Sequence, residues 1–425
     1  MTAAADTDPI VGRPAAVAQG PIFLLCFAVA LLDGFDTQVL PLCVPLLASH
    51  FGVGPAAFTS VFVAQAVGAI IGSLAAGYAA DRIGVRATLI VSIILFALFT
   101  LAVPFATSLE ALAAIRFLSG IGAAGCLTAI VTLCISIGAA SGRVRKTMLA
   151  YTGVPGGFIV ASLLASALVD TSYWWGLFAI GGVIPLVIIP LLLRYLPGRE
   201  DMRRLAAEAD RPLAQGGPAE VPADARREGL LSRAHGPKTG LLWITMLIAS
   251  SAVYLIIAWL PTSLNMAGYS SSLAALSSSF IYVGSVIGTL LFAAVIERGK
   301  PDRVLILGYA LAVAAALAIP VLLSPAPLAA IGALVVLGVT CLGAQVTLNV
   351  FSASLYPEHL RGRGTGWALG FNKAGALAGP LIGGIVIGGQ DPVGRVFPAI
   401  AAFMLVNMVM IALLARFMPA RAARD

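Results

Sequence analysis

IGSLAAGYAADRIG, residues 71–84, returns in altered form as IGTLLFAAVIERGK, residues 287–300, aligning without gaps 216 positions later. Asp81 falls on Glu297 and Arg82 on Arg298. In both copies an apolar run ends in an acidic residue followed by a basic one. The two copies occupy corresponding points of the two halves of the chain, and both run in the same sense. The pattern describes parallel repeats, each placing an acid–base pair at the same end of its second apolar segment.

The rest of the sequence gives those segments their setting. Of 425 residues, 60% are hydrophobic and 11% charged, with a mean hydropathy of +0.99; soluble domains carry roughly 25% charged residues. Apolar runs of about 20 residues, enough to cross a ~30 Å hydrocarbon core as helix, recur throughout. Lipid admits only helices or closed barrels, and unbroken runs are not the alternating pattern of a barrel strand. The expected fold is an all-α integral membrane protein with twelve transmembrane helices, at 20–47, 57–80, 87–108, 110–138, 147–169, 174–196, 239–265, 272–297, 302–323, 326–355, 364–388 and 394–417. Residues 197–238, mixed in charge and rich in Pro and Gly, form a linker with one short helix expected at EDMRRLAAEA. The organisation is thus a tail over 1–19, a six-helix bundle over 20–196, the linker, a second six-helix bundle over 239–417 and a tail over 418–425.

Charge supports this count. Of 26 Lys and Arg, 23 lie on alternate connections and the two tails, among them Arg82, Arg86, Arg143, Arg145, Lys146, Arg298, Arg361 and Arg363. By the positive-inside rule both termini and the linker are expected to be cytoplasmic, in a cytoplasmic (inner) membrane. The net charge of +7 is then mostly topology, which leaves nucleic acid with no part as a partner. The N-terminal residues are too polar and acidic for a signal peptide. Cys26, Cys43, Cys126, Cys134 and Cys341 are scattered without CxxC spacing, and His50, His235 and His359 are isolated. Neither a metal site nor a cofactor is expected, and the thiols are read as buried and structural.

Four charges fall inside predicted spans: Asp33 and Asp36 in LLDGFDTQVL (31–40), Arg116 in the fourth span and Lys373 in the eleventh. Each costs ~2.5–3.5 kcal/mol at a span centre on insertion scales, so such residues face protein or a water-filled cavity. One reading is a pair of internal salt bridges that only fix the packing of helices one, four and eleven. The other is functional. Carboxylates at i and i+3 share a helix face and resist ionising together in a low dielectric, which suits the pair to accept a proton. Arg116 offers a planar fork for a carboxylate and Lys373 a point charge, so one or both are expected to contact an anionic substrate. GIGAAG (120–125) matches GxGxxG but has no strand before it, so close helix packing and not a dinucleotide is expected.

Weaker candidates for a pocket are two polar stripes, Gln345, Asn349 and Ser352 on the tenth span and Ser278, Tyr282, Ser285 and Thr289 on the eighth. Either could equally bond between helices. Tyr254, Trp259 and Trp367 could stack on an aromatic ring or anchor span ends at the membrane interface. Asp81, Arg82, Arg86, Glu297 and Arg298 lie at the expected cytoplasmic face and suit a gate of ion pairs.

GYAADRIGVRAT (77–88) resembles the cytoplasmic loop motif of the major facilitator superfamily, with Gly77, Asp81, Arg82, Gly84 and Arg86 matching and Val85 where a basic residue is usual. DGFD in the first span, RFLSGIG in the fourth, WLPTSLNMAGYS in the seventh and the block from Gly343 to Gly384 resemble one branch, the aromatic acid:proton symporters. The chain departs from that branch in having no Glu before the basic loop after the fourth span, and Lys373 where an Arg is common. The resemblance implies a secondary transporter; an enzyme is not expected, because no nucleophile and base constellation appears, and a monomer is expected. Its partners would be a small organic anion and protons, and its activity proton-coupled uptake of an aromatic or related organic acid by alternating access. It also makes the DGxD carboxylates important for transport and adds Gly77 and Gly84 to the gate. The alternative is a proton-driven multidrug or metabolite exporter of the same fold. Against it, the fifth span has only GVPGG, while GALAGPLIGG carries the fuller GxxxGPxxGG pattern in the eleventh.

Overall fold

The computed structural model describes residues 19–137, 152–196, 198, 229–233, 235–296, 301–323, 327–356, 358–389 and 392–416. Among these the chain is helical throughout. The first six helices are α1 (Gln19–Phe51), α2 (Thr59–Ile83), α3 (Val85–Ala102), α4 (Leu109–Ile137), α5 (Gly153–Leu168) and α6 (Gly176–Tyr195). The second six are α7 (Gly236–Met266), α8 (Ser271–Ile296), α9 (Pro301–Leu322), α10, α11 (Glu358–Ile387) and α12 (Pro392–Ala415). The tenth runs as Pro327–Leu337, a π-helical turn Gly338–Leu342 and Gly343–Ser354. Eleven of the described helices are long and apolar enough to cross a membrane. α5 is shorter, and residues 138–151 ahead of it lie outside the described residues.

Glycine sets how closely the helices pack. A Cβ at Gly68 or Gly72 of α2 would overlap the backbone carbonyls of Phe117 and Ile121 on α4. A Cβ at Gly284 or Gly288 of α8 would overlap those of Val335 and Val339 on α10. These pairs of glycines are 216 positions apart, the offset of the sequence repeat. A second pair of contacts corresponds in kind, with the glycines 222 positions apart and the carbonyls they meet 220 apart. Gly153 and Gly157 of α5 sit on the carbonyls of Phe27 and Leu31 of α1, as Gly375 and Gly379 of α11 sit on those of Leu247 and Ser251 of α7. Backbone approach without a side chain in between is how membrane helices associate where no water drives them together. The two bundles are built on equivalent contacts.

Some boundaries differ from the sequence expectation. α2 runs on to Ile83, so Asp81 and Arg82 occupy its last turn, and Gly84 then turns the chain with φ +92°. α11 starts at Glu358, ahead of the apolar stretch, and α7 at Gly236, inside the expected linker. Helix needs no apolar sequence once it leaves the hydrocarbon. The π turn in α10 was not foreseeable from hydropathy. It begins at Gly338, whose missing Cβ lets the helix meet the carbonyl of Ile281, and such turns insert one extra residue into a helix. The short helix expected at EDMRRLAAEA and the Glu297–Arg298 pair lie outside the described residues.

Candidate functional site

A cavity of about 110 Å³ opens between the two bundles. Five helices supply its walls, each at helical spacing. α1 presents Asp33, Thr37 and Pro41, α2 presents Phe62, Gln65 and Ala69, and α4 a wall of small residues from Gly120 to Ala124. From the second bundle come Tyr254, Ile257 and Ala258 on α7 and Lys373, Ala376 and Pro380 on α11. Most of the lining is apolar, and the charges facing it are Asp33 from one bundle and Lys373 from the other. Asp33 is 8% exposed and Lys373 partly buried.

Asp36 does not share this cavity. Its side chain is 1% exposed, and Oδ1 accepts from Arg116 Nη1 at 2.8 Å and from the Thr100 hydroxyl at 2.8 Å. Arg116, fully buried, also donates from Nη2 to the Asp36 carbonyl oxygen at 3.2 Å. Asp36 Oδ2 and Arg116 Nε have no partner. Of the two cations, one or both of which were expected to meet an anion, Arg116 is held in an internal ion pair joining α1 to α4, and Lys373 faces the cavity. The cause is helical geometry. At 3.6 residues per turn Thr37 is rotated about 40° from Asp33 one way and Asp36 about 60° the other way. That leaves one acid facing the cavity and the other facing α4. Gly34, between them, meets the Val154 carbonyl of α5, so the close approach expected there is by a helix.

Two of the expected pocket aromatics lie behind the walls. Trp259 is fully buried, donates from Nε1 to the Pro380 carbonyl at 3.0 Å and meets Phe62 edge-on at 5.2 Å between ring centres. Tyr282, fully buried on α8, donates its hydroxyl to Gln38 Oε1 on α1 at 2.7 Å and packs on Phe158 at 4.8 Å. Both tie the bundles together in place of lining the cavity, because large amphipathic rings fill an inter-helix gap and still satisfy their polar atom. Tyr254 does line the cavity. Gln345 is off its wall, with both amide atoms buried and unpartnered; Asn349 is on the last segment of α10, its side chain outside the described residues. Ser278 and Thr289 bond to carbonyls of their own helix. Trp367 is 58% exposed beside Trp243.

At the α2–α3 corner, Asp81 and Arg82 are exposed, the Arg82 guanidinium lies 4.4 Å from the Tyr78 ring centre, and Arg86 donates to the Leu193 carbonyl. No ion pair of Asp81, Arg82 or Arg86 forms among the described residues. Gly84 needs its positive φ, whereas a Cβ at Gly77 would meet nothing within 4 Å.

Sequence reasoning missed Thr37, Gln65 and Thr100. Uncharged polar residues carry no large insertion penalty to betray them. Thr37 could have been found as the residue four after Asp33 and so on its face; Gln65 and Thr100 leave no such trace.

The described bonds and ring contacts between the bundles share one side of the molecule, from mid-membrane to the face where α1 ends at Phe51. Besides Gln38–Tyr282 and Phe62–Trp259, the Ser272 amide at the start of α8 donates to Asp170 Oδ2 beyond α5 at 2.9 Å, and the Ser272 hydroxyl donates to the Ser166 carbonyl. A Cβ on Gly384 of α11 would overlap Thr59 at the start of α2.

The chain is 32% identical over 401 residues to the gallate transporter of Pseudomonas putida, covering 89% of this chain and 88% of that one. It is 30% identical to a 4-hydroxybenzoate transporter of Pseudomonas aeruginosa, again covering 89% and 88%. With the 3-(3-hydroxy-phenyl)propionate transporter of Escherichia coli it shares 28% identity, covering 92% of this chain and 93% of the other. Among solved structures, a D-xylose-proton symporter superposes with a TM-score of 0.72 at 17% identity, covering 94% and 98%, a likeness of fold alone. The family profile described as Major Facilitator Superfamily matches residues 26–380. The chain, a multi-pass membrane protein of two six-helix repeats, belongs to the major facilitator superfamily of transporters.

Proposed function

We propose that this protein imports a single-ring aromatic acid together with protons across the cytoplasmic membrane, as a monomer working by alternating access. The observation that carries the reading is that Asp33 of one bundle and Lys373 of the other face one mid-membrane cavity, while Asp36 is locked to Arg116. Relatives at about 30% identity are named for gallate and 4-hydroxybenzoate, which supports an aromatic cargo.

The mechanism follows from charge. Lys373 attracts the substrate carboxylate, and Asp33 takes a proton. Anion against cation, with the neighbouring acid neutral, leaves little net charge in the cavity while the bundles rock past one another; unpaired charge there would carry the desolvation cost of a charge within the bilayer. With both termini in the cytoplasm, the Phe51 face is extracellular, and the Tyr282, Trp259 and Ser272 contacts close the cavity on that side. Breaking them opens it outward. The bundles at 20–196 and 239–417 are the moving bodies, and the basic corner at Asp81, Arg82 and Arg86, with Glu297 and Arg298 in the other repeat, is where the cytoplasmic side would close. The Asp36–Arg116 pair holds α1 on α4 through the cycle, so that Asp33 stays aimed at the cavity.

The test is substrate-induced proton movement in de-energised vesicles. Adding a hydroxybenzoate outside proteoliposomes should alkalinise the external medium as protons enter with the acid, and a protonophore should abolish the signal. External acidification, or uptake with no proton movement, would contradict the reading.

A further inference from the structure

We infer that Thr37 and Gln65 form a neutral hydrogen-bonding wall that reads a ring hydroxyl of the substrate, making the carrier selective for hydroxylated single-ring acids over the unsubstituted acid. The inference rests on the aromatic-acid reading and adds the specificity determinant within the same cavity.

Three uncharged polar side chains face the cavity: Thr37 on α1, Gln65 on α2 and Tyr254 on α7. None of the three makes a side-chain hydrogen bond among the described residues. Thr262 and Thr365 also lack a partner, but neither lines the cavity. Thr88, Thr128, Thr245, Thr289, Thr340 and Thr347 each give their hydroxyl to the carbonyl four residues earlier. Thr37 does not bond to Asp33 in that way, so its hydroxyl is available to a ligand. Gln65 stands at the inward-facing position of α2 between Phe62 and Ala69, with an amide that both donates and accepts. Both side chains are only partly buried, so water can satisfy them in the empty cavity, and a ligand that displaces this water without replacing its hydrogen bonds loses affinity.

The cavity's size and polarity set the ligand. An apolar cavity of ~150 Å³ takes a single benzene ring, so about 110 Å³ leaves no room for two rings. Lys373 is the cation in the wall, which matches a single carboxylate. It projects from the second bundle, whereas Thr37 and Gln65 project from the first. A hydroxylated acid therefore bridges the bundles, carboxylate to one and hydroxyl to the other. An acid without the hydroxyl leaves the first wall unpaired, and that mismatch is what lets a site discriminate against the analogue lacking the group.

The test is equilibrium binding to the purified full chain in detergent, comparing benzoate with the three monohydroxybenzoates for wild type, Gln65→Leu and Thr37→Val. Wild type should prefer at least one hydroxylated isomer by about tenfold, the size of one neutral hydrogen bond. Each substitution should erase most of that preference through weaker binding of the hydroxylated isomer, while benzoate, no longer set against an unpaired polar group, should bind at least as well as to wild type; a cooperative thermal unfolding transition in detergent shows that the variant is folded. An unchanged ratio of hydroxybenzoate to benzoate, or equal weakening of both, overturns this inference and leaves the aromatic-acid reading standing. A wild type that binds none of the four acids overturns both.

Discussion

Asp33 and Asp36 are three residues apart in the sequence, and less than one turn of α1 sends them to different surroundings. Asp36 is an element of structure. Removing one partner of a buried ion pair typically costs about 3–5 kcal/mol, while replacing both with apolar residues is often neutral or better. Thermal unfolding in detergent should therefore show Asp36→Leu and Arg116→Met each lowering stability, and the double variant recovering much of the loss. Additive losses would mean the pair is not the unit described here. Lys373 is read differently, as a charge that meets the ligand. Lys373→Met should weaken hydroxybenzoate binding roughly 10- to 150-fold, the range for a charge-assisted hydrogen bond, and Lys373→Arg should keep most of the affinity. The four interior charges were legible in the sequence because each stands out against hydrocarbon. Which of them face the cavity was not, because Asp36 lies within reach of Arg116 only once α4 is docked on α1, and nothing local encodes that rotation.

At the scale of helices, contact is backbone on backbone. Gly34 packs against the Val154 carbonyl, so Gly34→Ala has no room and should cost about 1–3 kcal/mol, as overpacking does; a thermal shift assay checks it. An unaltered melting temperature would place α1 and α5 further apart than described. The Tyr282–Gln38 bond joins α1 to α8 across the bundles. Losing a buried hydrogen bond of about 1 kcal/mol should move the population of the closed Phe51 face about fivefold in Tyr282→Phe. Spin labels at Ser49 and Met266, exposed near the ends of α1 and α7, would report this as more of the longer inter-bundle distances. The repeat announced by residues 71–84 and 287–300 carried through to these contacts, since Gly68 and Gly72 match Gly284 and Gly288 at the same offset. The π turn of α10 and the helical extension of α11 over polar residues left no trace in hydropathy, because a membrane helix may continue past the apolar stretch and may gain a residue inside it.

For the whole molecule, two bundles share one cavity, with an acid on one side and a base on the other. The proposed coupling needs a group that changes charge during the cycle, and the proposal assigns that part to Asp33, which faces the cavity. A carrier lacking it should still bind its substrate and rock between its two states, because the Lys373 wall and the inter-bundle contacts are intact. It should fail only where proton energy has to be used. The deciding measurement is labelled hydroxybenzoate transport by Asp33→Asn proteoliposomes in two modes, exchange between equal pools and accumulation under an inward proton gradient. The account predicts that exchange persists while accumulation above equilibrium is lost. Accumulation at the wild-type level in Asp33→Asn would contradict it and move the coupling site elsewhere in the chain.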